Sequence, residues 1–134
     1  MTSLKSEVMP IRTSEDVVLV RQAVRRWAME LAFSIVDQTK LVTAASELGR
    51  NAFGYGGGGT CTLEVVERGG RRGLRLVFED QGPGIADVEA ALKDGYTTGN
   101  GLGLGLGGSR RLVDEFDIDT RPGEGTRITI VRWK

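Results

Sequence analysis

Gly99-Asn100-Gly101-Leu102-Gly103-Leu104-Gly105-Leu106-Gly107-Gly108 decides how this chain is read, because glycines alternate with single residues before a change of character. Ser109-Arg110-Arg111-Leu112-Val113-Asp114-Glu115-Phe116 follows, with Leu112, Val113 and Phe116 at helical spacing. Glycine loses more backbone entropy on folding than any other residue, so such a run disfavours the folded state unless a bound group needs bare backbone close by. A glycine-rich segment opening a helix also offers free N–H groups and the positive end of the dipole, which suits phosphate. The stretch 99–108 therefore reads as a phosphate-covering loop leading into a helix over 109–116. Other parts of a nucleotide site are expected elsewhere in the chain.

The totals narrow the field. A length of 134 residues fits one domain, 1–134, around one core. Lys plus Arg equals Asp plus Glu at 18 each, so the basic excess of a nucleic-acid or anionic-membrane binder is missing. With no histidine, Ser-His-Asp hydrolysis is excluded and a structural zinc site is implausible. The single cysteine, Cys61, makes no internal disulfide and has no histidine to activate it, which reads as a strand residue in a reducing compartment. The segment Met1 to Glu7 lacks the apolar core of a signal peptide, and no run approaches the ~20 apolar residues of a membrane span. A cytoplasmic protein is expected.

Along the chain, Val8, Met9 and Ile11 around Pro10 suggest an edge strand over 7–12. Ser14 reads as the N-cap of a helix carrying Val17, Val20, Val24, Trp27 and Leu31 through about Phe33. A second helix spans about Asp37 to Ala52, burying Leu41, Ala44, Ala45, Leu48 and Ala52. Glu47 and Asn51 lie one turn apart on one side of it. Taken alone, that pair is either a general base beside a metal ligand or a surface acid near a helix end. Thr60–Glu67 and Gly73–Glu79 form an antiparallel hairpin about Arg68-Gly69-Gly70-Arg71-Arg72. The second strand runs into Asp80-Gln81-Gly82-Pro83-Gly84, either a turn with an incidental acid or a place where a planar ligand lies on bare backbone and donates to Asp80. A short helix is expected over 87–93 and a half-buried strand over 126–133, after the turn Arg121-Pro122-Gly123-Glu124-Gly125.

Two phosphate motifs fall away. A Walker A loop needs a lysine, and none lies between Lys93 and Lys134. Gly103-x-Gly105-x-x-Gly108 has the dinucleotide spacing but does not directly follow a parallel strand. Instead Glu47-x-x-x-Asn51, Asp80-x-Gly82-x-Gly84 and Gly101-x-Gly103-x-Gly105 resemble, in order, the N, G1 and G2 boxes of the GHKL ATPases. That superfamily comprises gyrase, the heat-shock-90 chaperones, histidine kinases and MutL. The resemblance implies the Bergerat ATP-binding fold, an α/β two-layer sandwich of a mixed, mainly antiparallel sheet and a helical layer. Within it the chain resembles the serine/threonine kinases of bacterial partner switching, in particular the RsbT-like switch kinases of the stressosome. This rests on Ser46-Glu47-Leu48-x-Arg50-Asn51, Glu79-Asp80-Gln81-Gly82-Pro83-Gly84-Ile85, Leu112-x-Asp114-Glu115-Phe116, Arg121-Pro122-Gly123-Glu124-Gly125-Thr126 and Val131-x-Trp133-Lys134.

The resemblance implies ATP and Mg2+ as cofactors, with Glu47 as the base that takes the acceptor hydroxyl proton. Asn51 would ligate Mg2+, Asp80 and Thr126 would hold adenine, and Gly82, Gly84, Gly101, Gly103, Gly105 and Leu106 would complete the nucleotide site. No Lys or Arg lies from Asp94 to Ser109, which leaves Arg50 and Arg110 as candidates for meeting the γ-phosphate. Without histidine the phosphate must go to another protein; the resemblance implies a Ser or Thr of STAS-domain antagonist and scaffold proteins. It further implies a PP2C-type phosphatase that the released kinase activates. An anti-sigma factor with serine kinase activity and a non-catalytic ATP-dependent binding module are the alternatives.

Overall fold

In the computed structural model, residues 1–55, 57–85, 88–92 and 105–134 are described. In chain order the elements are β1 (Thr2–Ile11), α1 (Ser14–Glu30), α2 (Ile35–Arg50), a π-helical turn (Asn51–Tyr55), β2 (Gly59–Arg68) and β3 (Arg71–Asp80). They continue with α3 (Val88–Ala91), α4 (Gly105–Arg111), β4 (Glu115–Arg121) and β5 (Gly125–Trp133). The strands form a five-stranded sheet in the order β1-β2-β3-β5-β4, and every pairing is antiparallel. The expected two-layer α/β sandwich is present.

Alternation along the strands sorts their residues onto two faces. Cys61, Leu63, Leu74, Leu76, Phe78, Ile128 and Ile130 turn to the helical layer and are at most 5% exposed. Val17, Val20, Val24 and Trp27 of α1 and Leu41, Ala44, Ala45 and Leu48 of α2 complete one core. The α1–α2 connection is short: Ala32 takes a left-handed φ of 62°, Phe33 N–H bonds Ala28 O, and Ser34 caps α2 by accepting Asp37 N–H. Phe33 is buried, but in this turn rather than in the helix expected to reach it.

The N-cap of α1 is Thr13, not Ser14. Its hydroxyl accepts Asp16 N–H at 3.1 Å, while the Asp16 carboxylate accepts the N–H of Arg12, the residue before the cap, at 2.9 Å. The edge strand foreseen at 7–12 begins at Thr2 through pairing with β2; residues 2–6 are exposed and carry no apolar alternation that would reveal it in the sequence. The largest departure concerns the segment read as a helix over 109–116. The helix occupies Gly105–Arg111, and Glu115 and Phe116 open β4, an edge strand for which no element was expected.

Arg132 of β5 joins the layers from the far end. Its guanidinium donates to Asp37 Oδ1 at 2.6 Å, in the first turn of α2, and to Leu112 O at 3.1 Å, just past α4. Its Nε is buried without a partner among the described residues. On the open face Trp133 covers Gly73, where a Cβ would come within 2.7 Å of the indole. Among helices of the described residues, none is long and apolar enough to cross a membrane.

Leu76 is fully buried at the centre of the sheet. Leu76→Ala is expected to lower unfolding stability by about 3 kcal/mol, read as a shifted denaturation midpoint at unchanged slope.

Candidate active site

Three local structures converge at the end of the sheet where β3 finishes and β5 begins. The first is the C-terminal turn of α2. Gly49 is packed so closely that a Cβ would stand 3.2 Å from Val17 Cγ1 and 3.9 Å from Phe78 Cε2, which sets this turn down on β3 two residues before Asp80. Glu47, two residues earlier and turned to the start of α4 instead, is buried to 5% exposure. Its Oε1 accepts Gly105 N–H at 3.2 Å and its Oε2 accepts Arg50 Nη2–H at 2.8 Å. The reading of Glu47 as a surface acid is excluded. Asn51, half-buried, ends α2 in helical geometry, and the π-helical turn prolongs the axis before Gly58 N–H closes on Ala52 O at 2.7 Å. Gly59 then pairs with Asp80, so the turn after Asn51 returns the chain directly to the second structure.

That second structure is the end of β3. Asp80 faces the helical side, where one carboxylate oxygen accepts Gly82 N–H at 3.0 Å and the carboxyl also accepts the Thr126 backbone N–H. Partial burial pushes its pKa above the ordinary aspartate value, and the two backbone N–H groups oppose that rise. Gly84 is a glycine for a reason other than ligand approach alone. Its φ is +77° and a Cβ would collide with Arg121 O at 2.3 Å. Gly125 is constrained alike, with φ +98° and a Cβ 2.1 Å from Asp80 O.

The third structure is the pairing of β4 and β5. Thr126, 8% exposed, lies across from Asp80 and its hydroxyl is 2.8 Å from that of Thr120. Thr120 Oγ1 accepts Ile85 N–H at 2.9 Å and lies 3.2 Å from Gly125 O, to which it donates. With that donor spent, Thr126 supplies the proton between the two threonines, and its remaining lone pairs make it an acceptor beside Asp80. Thr120 was not found from sequence. The inward alternation of Phe116, Ile118 and Thr120 was the available signal, but the acids Asp117 and Asp119 between them obscured it.

Of the remaining expected residues, Gly105 and Leu106 open α4, with Leu106 in the core and 5% exposed, so a ligand would meet its backbone rather than its side chain. Gly101 and Gly103, and the loop at 93–104 to which they belong, lie outside the described residues. A cavity of about 290 Å³ beside Asp80, Thr126 and Arg127 has no lining from Glu47 or Asn51 and reaches Glu79 and Asp119 on the open face. It borders the site rather than containing it.

The donor chemistry fits ATP with Mg2+. Asp80 presents a carboxylate acceptor for an amino group, and Asn51 has a hard amide oxygen one helical turn from Glu47. No cluster of three or more acid, Cys or His ligands occurs among the described residues. Mg2+ suits such a sparse set, since it keeps waters and binds through one or two protein groups plus phosphate oxygens.

Comparison with known proteins identifies the family. Residues 36–134 match the family of histidine kinase-, DNA gyrase B-, and HSP90-like ATPases, and the chain belongs to it. It is 46% identical over 123 residues to the serine/threonine-protein kinase RsbT of Bacillus subtilis (strain 168), covering 92% of each chain. That relation makes it an enzyme of the serine/threonine-protein kinase branch of the family, one that uses ATP. It is also 25% identical over 126 residues to an anti-sigma F factor of Thermoanaerobacter sp. (strain X514), covering 90% of this chain and 87% of that one. Two solved structures share the fold, each at 21% identity. The RsbU and RsbW domains of Rv1364c from Mycobacterium tuberculosis match with a TM-score of 0.65 over 97% of this chain and 33% of that one. The mycobacterial sensor histidine kinase MprB matches with a TM-score of 0.57 over 96% and 97%.

Asp80→Asn is expected to weaken ATP and ADP about tenfold or more, since a charge-assisted hydrogen bond is lost. In the unsubstituted protein, affinity should fall as pH drops through the pKa of Asp80, because only the carboxylate accepts. As that pKa is raised, the loss begins at higher pH than an ordinary aspartate would give, which calorimetric titration across pH measures.

Proposed function

We propose that this chain is a protein kinase of a partner-switching pathway, transferring the ATP γ-phosphoryl group to a Ser or Thr of a STAS-domain antagonist or scaffold protein. Once released, it activates a PP2C-type phosphatase. The observation that carries the reading is Glu47, a carboxylate held inside the fold beside the segment that follows the glycine loop. A carboxylate fixed there can serve as the base that an incoming hydroxyl needs.

Asp80 and Thr126 would bind and orient adenine, and Asn51 would hold Mg2+, which would supply neutralisation of charge on the phosphates. Glu47 Oε2 takes the proton as the acceptor oxygen bonds to phosphorus, the bond from phosphorus to the bridging β–γ oxygen breaks, and ADP carries away the electron pair. A phosphorylated serine gains close to two negative charges, which would separate the acceptor from the kinase by repulsion and desolvation. The reading takes residues 1–134 as one kinase domain acting in the cytoplasm, and Cys61, buried and unpaired, suits a reducing compartment. Kinship with anti-sigma F factors supports a second reading, in which the chain also holds a sigma factor.

The test is incubation with labelled ATP, Mg2+ and the STAS-domain proteins encoded beside the gene. Label on a partner Ser or Thr is expected, reduced about 10²- to 10⁴-fold by Glu47→Gln with ATP affinity retained. ATP binding without label on any such protein overturns the kinase reading, and co-purification of a sigma factor then favours the second.

A further inference from the structure

The glycine-rich stretch 99–108 brings no cation to this site. Glu47 and Asp80 are acids, and no Lys or Arg occurs between Lys93 and Arg110. Phosphoryl transfer relies on positioning and on neutralising charge that spreads over the equatorial oxygens, and an arginine within reach adds to what Mg2+ would supply. Arg110 sits near the end of α4, five residues beyond Gly105, or roughly 7.5 Å along the helix. Arg111 already has a partner. Arg50 is different, since it lies on the same turn as Glu47 and Asn51.

Its guanidinium Nη2 is 2.8 Å from Glu47 Oε2, and the two side chains differ sharply in exposure, 57% for Arg50 against 7% for Glu47. The arginine thus touches the buried base with one edge and stands at the rim of the site. Glu47 is its hydrogen-bond partner among the described residues, which uses one of five N–H donors. As a fold contact, an i,i+3 pair with one exposed member contributes little. As chemistry the position matters more, because Oε2 is the oxygen that Arg50 occupies and Oε1 is held by Gly105.

We infer that Arg50 is a catalytic residue that senses the γ-phosphate: hydrogen-bonded to Glu47 Oε2, it exchanges that carboxylate for the γ-phosphoryl oxygens when ATP binds and frees Glu47 Oε2 for the acceptor hydroxyl. The fork geometry of guanidinium matches two phosphoryl oxygens as well as it matches a carboxylate, and the doubly charged group is the stronger attractor. The exchange ties the base to its substrate. Glu47 is released when a γ-phosphate is present and covered again when ADP remains. The inference deepens the kinase reading and rests on it.

The experiment compares the full chain with Arg50→Ala, Arg50→Gln and Arg50→Lys by calorimetry with Mg2+, using ADP and a non-hydrolysable ATP analogue. Arg50→Ala and Arg50→Gln should bind ADP within twofold of the unsubstituted protein and the analogue about tenfold more weakly. Arg50→Lys should recover part of that difference. Single-turnover transfer at saturating ATP should fall about 100-fold in Arg50→Ala. An unchanged analogue-to-ADP ratio overturns the inference, even if transfer slows, because Arg50 would then act only by positioning Glu47. An equal loss of both ligands also overturns it. Should Arg50→Ala fail to fold, the Gln and Lys variants decide. If the unsubstituted protein labels no acceptor, the kinase reading fails while the binding ratio still tests the contact of Arg50 with the γ-phosphate.

Discussion

A carboxylate removed from water governs this structure. Glu47 is the one charged residue that is fully enclosed among those described, and an enclosed charge is tolerated only where hydrogen bonds replace its hydration. The replacement comes from Gly105 N–H, 58 residues further along the chain, and from Arg50. Meeting that need brings the start of α4 against the end of α2, which carries Leu106 into the core and leaves Gly105, Gly107, Gly108 and Ser109 buried. The core and the reactive group are therefore one construction. A side chain selected for chemistry also determines where the second half of the chain is anchored.

The nucleotide end is built by steric means. At Asp80 the strands approach so closely that a Cβ on Gly59 would lie 1.8 Å from Glu79 O, and one on Gly125 would lie 2.1 Å from Asp80 O. Bare backbone on both sides of β3 lets the carboxylate stand at the end of the sheet with Thr126 beside it. Partial burial and two N–H donors then act on the same carboxyl in opposite directions. Arg132 secures the opposite margin of the helical layer.

Much of this was legible in the sequence because it rests on spacing. The 47/51 pair, the Asp80 turn and the hairpin through Gly69 and Gly70, whose φ values are 57° and 81°, follow from local rules. The helix near 105 did not, since glycines have poor helix propensity and only their burial against α2 and the core makes them helical. The spacing of Leu112, Val113 and Phe116 looked helical because a loop and an inward strand residue happened to share that period. Thr120 stayed hidden because its importance lies in a bond to Ile85 N–H, 35 residues away, which no local pattern encodes. The enclosure of Glu47 was equally invisible, as it depends on Gly105, 58 residues further along the chain.

The outer strand β1 has a consequence of another kind. Residues Thr2–Ile11 leave one row of backbone groups unpaired, an arrangement that ordinarily invites other chains to add on. Here the register breaks between Ser3 and Lys5, Pro10 offers no N–H, and Lys5 turns to the helical side with its ammonium 4.2 Å from the Trp27 ring. Irregularity at one end and proline at the other leave only a short regular ladder between them. Both features blunt the free edge, because a strand added there would meet a broken register at one end and a missing donor at the other.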